Sequence, residues 1–220
     1  MRESRVPLRF ESEMSNSKEA ILTAIRNAQP PAAELPIVEG AWTTYTDRRQ
    51  QFIDTLVGVG GTAICVRTLA ELNESLRTLP VYAEARQIVS LVDGAGVANV
   101  DMAAIADPHD LAGVDVAILP GEFAVAENGA IWITDRKVPQ RVAYYLCQHL
   151  VLVLRASEIV DHMHAAYERL RTAGQGGTSA FAGPVFGAFI SGPSKTADIE
   201  QALVIGAHGP RSLTVYLLGE

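Results

Sequence analysis

Strand-length apolar runs that scarcely alternate constrain this chain more than any other feature. Thr62–Val66, Ile88–Val92, Val114–Leu119, Gly129–Thr134, His149–Leu154, Val185–Ile190 and Leu213–Leu218 are each nearly continuous in hydrophobic side chains. A strand with one wet face would alternate polar and apolar residues, so runs of this kind read as strands covered on both faces. Between them the period lengthens. Thr68 with Glu71 makes a capping box ahead of Leu69, Leu72, Leu76 and Leu79. Ser157 is read as the cap of a helix carrying Ile159, Val160, Met163, Ala166, Tyr167 and Leu170 on one face, with Gly174 beyond its end. A further helical stretch is expected near Thr196–Ile205. Strands alternating with helices predict an α/β fold, a largely parallel sheet with helices on both faces.

The start of the chain is different. Residues 1–15 carry no periodicity and are read as a loose N-terminal arm. Residues 16–57 read as a helical segment: Asn16 and Glu19 cap a stripe of Ile21, Ala24, Ile25 and Ala28 that ends at Pro30-Pro31, and Trp42, Tyr45, Phe52, Ile53, Leu56 and Val57 recur up to a glycine cluster at Gly58, Gly60 and Gly61. Residues 58–220 form the α/β domain, and a chain of 220 residues is expected to make a single domain overall.

Charge and cysteine content narrow the function. Eighteen basic against twenty-five acidic residues give a net charge of −7, with no basic patch, which argues against nucleic acid and anionic membranes as partners. The longest apolar stretch, Val142–Leu154, is interrupted by Gln148 and His149 and falls short of the ~20 residues a bilayer needs. With no secretory leader in view, a cytoplasmic protein is expected. Two cysteines, Cys65 and Cys147, are too few for an iron–sulfur cluster or a four-cysteine zinc site.

Ligands of open parallel sheets sit at the carboxyl ends of strands, so the loops leaving the predicted strands are the places to look. Val92-Asp93-Gly94-Ala95-Gly96 has two glycines of a dinucleotide fingerprint without the third, and reads as a tight turn. Glu127-Asn128-Gly129-Ala130 precedes a strand. It is either a hairpin turn with a solvated glutamate or a carboxylate held in a partly desolvated crevice as base or nucleophile. Ser191-Gly192-Pro193-Ser194-Lys195-Thr196, at a strand end, gathers hydroxyls and a lysine where a helix is expected to begin, a place suited to an anion, although an ordinary capped helix start with Asp198 and Glu200 would look similar. His208 lies in the turn Gly206-Ala207-His208-Gly209-Pro210, free to act as acid or base or simply to face solvent. His162, His164 and Glu168 on one helix do not make a metal site.

The block Ile190-Ser191-Gly192-Pro193-Ser194-Lys195-Thr196-Ala197-Asp198-Ile199-Glu200, followed by Gly206-Ala207-His208-Gly209-Pro210, resembles the signature of the LUD domain. Over about residues 15–220 the chain is similar to the lactate utilization protein C (LutC/YkgG) family. There an E-T-G-[ST] turn precedes a strand. Here Glu127-Asn128-Gly129-Ala130 stands in its place, with Asn128 and Ala130 where hydroxyl residues are usual and Lys195 where arginine is frequent.

The resemblance implies a NagB/RpiA/CoA-transferase-like α/β sandwich. It also implies a non-redox component of an L-lactate utilization system, oxidising lactate to pyruvate together with iron–sulfur partner proteins of the LutA and LutB kind. A small anionic ligand such as lactate or pyruvate is expected, with no metal or cofactor in this chain. The matching positions are read as one shared pocket. Glu127 and His208 are its catalytic candidates, and Gly129, Ser191, Gly192, Ser194, Lys195, Thr196, Asp198, Glu200 and Gly209 bind the ligand. The alternative is a free-standing CoA-transferase- or sugar-phosphate-isomerase-like enzyme acting on an anionic metabolite, with Glu127 as nucleophile or base.

Overall fold

The computed structural model describes residues 11–31, 33, 34, 37, 40–173, 186–197 and 203–219, and divides into units 1–41 and 42–220. The first unit is one helix, α1 (Glu11–Asn27), with Ile21, Leu22 and Ile25 exposed along it. It begins upstream of Asn16, the residue expected to cap it, so part of the arm is helical.

The second unit begins with α2 (Arg48–Gly58), β1 (Thr62–Val66), α3 (Leu69–Thr78), α4 (Pro80–Ala83) and β2 (Ile88–Ser90). After a 3₁₀ turn at Pro108–Gly113 come β3 (Val116–Pro120), β4 (Phe123–Val125), β5 (Ala130–Thr134), α5 (Ala143–Leu146), β6 (His149–Arg155), β7 (Ile159–Val160) and α6 (Met163–Ala173). β8 (Gly187–Ile190), β9 (Lys195–Ala197), β10 (Leu203–Ile205) and β11 (Ser212–Leu218) complete it. Among the described residues no helix is long and apolar enough to cross a membrane.

Five of the seven apolar runs form a parallel sheet, in the order β1-β11-β6-β3-β2, with every neighbouring pair parallel, whereas the runs at Gly129–Thr134 and at 185–190 supply β5 and β8, which pair antiparallel with each other. Its two faces separate cleanly by residue parity. Leu150, Leu152 and Leu154 of β6 and Leu213, Val215 and Leu217 of β11 join one core, with Phe52 and Leu56 of α2 and Tyr144 of α5. Val151, Val153 and Tyr216 join the other, with Leu72 and Leu76 of α3. The α/β expectation therefore holds. α2 belongs to this packing rather than to a separate N-terminal segment, because Phe52 and Leu56 are fully buried in the sheet's core.

The sequence reading did not anticipate a second sheet. β7-β4-β5-β8 is a four-stranded, mainly antiparallel sheet. Ala124, Ile131 and Ile133 face the parallel sheet's core, while Phe123, Val125 and Trp132 pack against Ala166 and Leu170 of α6. Such burial on both sides is why β5 is apolar throughout.

Two expected helices are corrected. The helix expected from Ser157 starts at Met163, because Ile159 and Val160 pair with Ala124 and Val125 as β7. Near Thr196–Ile205 the described residues form the antiparallel hairpin β9–β10, Lys195 opposite Ile205 and Thr196 opposite Val204, where β-branched side chains suit a pleated strand. α2 also starts later than expected, at Arg48 with Asp47 as its cap, whereas Trp42 and Tyr45 precede it. The Thr68 box is half made. Thr68 Oγ1 accepts from Glu71 N at 3.2 Å, but the Glu71 carboxylate accepts from Arg67 N rather than reaching back to Thr68.

Candidate functional site

The turn after β8 is shaped by one glycine. Gly192 has φ +75°, and a Cβ there would lie 2.5 Å from the Val59 carbonyl oxygen, so no side chain fits. Ser191 Oγ donates to Asn128 O at 2.7 Å, which ties the turn to the β4–β5 hairpin. Ser194 N donates to Pro210 O, and Ser194 O accepts from Gly206 N, each at 2.9 Å. These two bonds lace the Ser191–Ser194 turn to the His208 turn. The sequence motif in two pieces thus becomes one wall.

That wall closes a cavity of about 290 Å³. Ser191, Gly192, Ser194, Lys195, His208 and Gly209 line it, with Tyr144 and Tyr145 at its side and Leu150 and Leu213 as its floor. Thr196 Oγ1 lies 3.3 Å from His208 Nδ1 and positions that ring. Lys195 Nζ donates to Val59 O at the carboxyl end of α2, where a cation is favoured by the free carbonyls and the helix dipole. Among the described lining residues there is no carboxylate. Burial pushes the Tyr144 phenol well above its ordinary value, with the Glu122 charge adding to it, and its hydroxyl donates to Pro120 O and Thr134 O at 3.1 Å. Tyr144 is therefore a fixed strut. Tyr145, more exposed, is the phenol nearer solvent.

The site thus offers a lysine ammonium, an imidazole, the Ser194 hydroxyl and an aromatic flank around an apolar floor. Such a set suits a compact anion with a short carbon skeleton. It differs from the expected anion cradle in one respect: among the described residues Lys195–Ala197 is a strand, so the donors are side chains and turn amides rather than a helix N-terminus. It also lies over the first residues of β6 and β11, at the amino end of the parallel sheet, rather than at the carboxyl end expected of an open parallel sheet.

Glu127, Gly129 and Thr196 are not among the lining residues. Gly129, at φ +66°, turns the β4–β5 hairpin, and a Cβ there would come within 3.1 Å of the Leu56 backbone. The hairpin reading of Asn128-Gly129 is the one the structure adopts, with Asn128 Oδ1 accepting from Ala130 N. Exposed Glu127 accepts from Met163 N at 2.9 Å, which places a carboxylate at the amino end of α6. Beside it His162 Nδ1 accepts from Ala165 N, and buried Asp161 accepts from Tyr45 N and Arg48 Nε. Burial alone would raise the Asp161 carboxyl, but those two donors outweigh it and hold it below the usual range. Trp42 stacks on His164 at 3.7 Å between ring centres. This cluster caps and braces α6. Asp198 and Glu200 lie outside the described residues. Sequence reasoning missed Tyr144 and Tyr145, whose only signal was an aromatic pair at the head of the apolar run 142–154. Among the described residues no group of three or more His, Cys, Asp or Glu could hold a metal ion.

Comparison with known proteins places this geometry in context. The LUD domain profile matches residues 81–218. Lactate utilization protein C of Bacillus pumilus is 33% identical over 102 residues, 46% of this chain and 41% of that protein. The uncharacterized protein YkgG of Escherichia coli is 32% identical over 105 residues, 48% and 44% of the two chains. The chain thus spans about two fifths of the length of the curated relatives it matches. A crystal structure of a DUF162 family protein from Deinococcus radiodurans has the same fold, with a TM-score of 0.52 and 19% identity, covering 78% of this chain and 96% of that one.

Proposed function

The chain belongs to the LUD domain family, and from that premise we propose that it serves lactate utilization as a non-redox component that binds the small organic acid. The observation that carries this reading is the lacing of Ser194 to Pro210 and Gly206. It brings Lys195 and His208, from separate turns of the matched region, onto one cavity of about 290 Å³. A three-carbon hydroxy or keto acid suits it. The carboxylate meets Lys195 and the Ser194 hydroxyl, the second oxygen meets His208, and the methyl group rests on Leu150 and Leu213.

Turning lactate into pyruvate removes two electrons and two protons, and the electrons need an acceptor. This chain has only two cysteines, and burial pushes the Cys147 thiol up to about 12, far from a metal-binding thiolate. We therefore assign electron transfer to iron–sulfur partner proteins, LutA- and LutB-like, and to this chain the holding and orienting of the acid, with His208 placed to accept or return the hydroxyl proton. The alternative, a CoA-transferase- or isomerase-like enzyme built on Glu127, is less well supported, since that carboxylate accepts from Met163 N at the start of α6 and is not among the lining residues.

Titrating the chain with pyruvate and with L-lactate by calorimetry tests the binding half of the proposal. Binding is expected, and it should weaken about tenfold in Lys195→Met, as for loss of one charge-assisted hydrogen bond. Affinity capture of the tagged chain from its native cells tests the other half. Iron–sulfur proteins should co-purify, and a chain that never associates with them contradicts the proposed division of labour.

A further inference from the structure

A second cavity lies at the same end of the parallel sheet. In the register of the sheet His149 pairs with Ser212 and Leu150 with Leu213. Leu150 and Leu213 floor the cavity described above, so His149 and Ser212 project to the opposite face. On that face lies a larger cavity, about 540 Å³, lined by Glu84, Asp115, Gln148, His149 and Arg211. We propose that this cavity is a binding site for the oxyanion of a metabolite, a carboxylate or phosphate gripped by Arg211 and His149. It is independent of the lactate reading, which concerns the other face.

Its polar groups are asymmetric in a way that favours an anion. Asp115 is already committed, because its Oδ2 accepts from Arg86 N at 2.7 Å and Gln87 N at 2.9 Å, and these bonds hold the carboxyl below its ordinary range. Arg211 uses its backbone amide to bond Gln148 O, but its guanidinium has no ion-pair partner among the described residues. His149 Nδ1 is held by Ser212 Oγ at 2.8 Å, and Ser212 does not line the cavity, which leaves Nε2 as the ring's free nitrogen there. The guanidinium and the imidazole thus face two carboxylates, Asp115, engaged by two backbone amides, and Glu84, on the exposed rim. A guanidinium supplies the bidentate geometry that a carboxylate or phosphate accepts. The volume exceeds that of a bare oxyanion and admits the rest of a metabolite along Pro80.

Sulfate is the first probe, since it stays dianionic throughout the pH range used. By calorimetry or thermal shift the whole chain should bind it, with affinity falling about tenfold or more in Arg211→Met and only partly in Arg211→Lys. Glu84→Gln removes the opposing charge and should tighten binding about twofold, an effect no unfolded variant can mimic. Binding should strengthen severalfold from pH 7.5 to 5.5 as the bound anion draws a proton onto His149, which Arg211 disfavours and the carboxylate of Asp115 favours, with Glu84 at the rim. His149→Gln should flatten that dependence. Inorganic phosphate and citrate then distinguish a phosphate from a carboxylate source by which competes better with sulfate. No sulfate binding, equal binding in Arg211→Met and the parent, or a pH dependence that survives in His149→Gln would each overturn the proposal.

Discussion

At its amino edge the parallel sheet carries two cavities, one on each face, and they differ in kind. The smaller is floored by Leu150 and Leu213 and walled by glycine-rich turns, with one ammonium and one imidazole at its mouth. The larger is made of side-chain charge: Arg211, His149, Asp115 and Glu84. A single step along β6, from His149 to Leu150, crosses from one to the other. The same strand ends serve two sites because His149 and Leu150 point to opposite faces, while Asp115, Gln148 and Arg211 reach the larger cavity from the residues just before β3, β6 and β11. The pair also separates what backbone shape provides on one face from what charge provides on the other.

The comparison breaks most visibly at Gly192. A Cβ there meets the Val59 carbonyl, and the positive φ adds strain, so Gly192→Ala should cost ~3 kcal/mol. Denaturant unfolding should register that loss, and pyruvate binding should disappear with the turn. Sulfate binding on the other face should survive in the folded fraction, because none of its groups lies in this turn.

Asp161 sharpens the contrast by testing a buried charge that serves neither cavity. Asp161→Asn should cost about 2 kcal/mol, the worth of a buried charged acceptor with two donors. Its folded value lies below the ordinary 3.8, so its contribution is present above pH 3.8 and is lost as pH falls through the folded value. The variant should therefore show a shallower acid limb in a plot of stability against pH.

His149 gives a smaller effect at milder pH. Burial first, then the Arg211 charge, lowers its value from 6.5, with Asp115 opposing. The folded state thus prefers the neutral ring, and its contribution is complete above pH 6.5 and lost as pH falls through the folded value. Melting temperature should decline on acidification from pH 7 to 5, less steeply in His149→Gln, and added sulfate should offset the decline in the parent chain. Glu127→Gln should do least. It weakens one contact at the amino end of α6 by about 0.5 kcal/mol, measured by thermal unfolding, and leaves pyruvate affinity unchanged.

Much of the parallel sheet was legible because burial on both faces writes itself as uninterrupted apolar residues. Thr62–Val66 forms a strand over the same residues as predicted, and β6 and β11 each differ by one terminal residue. The second sheet was harder to see. β4 spans only Phe123–Val125 and β7 only Ile159–Val160, too short for any period to show, and Ile159 and Val160 fit a helical stripe equally well. The hairpin at Lys195 was read as a helix because hydroxyl, lysine and acidic residues in that order mimic a capped start. For the site, the Ser191 and His208 blocks were recognisable as sequence, and the structure joins them. Glu127 was drawn into the pocket by its place in the motif, and only the fold reveals that it faces α6. His149 appeared merely as an interruption of an apolar run, since nothing in one strand's sequence announces the Arg211 that comes to stand beside it.

The central claim is that the two signature turns form the binding site for the small acid. Amide chemical shifts of the ¹⁵N-labelled chain titrated with pyruvate test it most directly. The account predicts that Ser194, Lys195, His208 and Gly209 shift together with a common saturation, while Gln148, His149 and Arg211 stay in place. Saturable shifts centred on Gln148, His149 and Arg211, or no shifts at all, would contradict it.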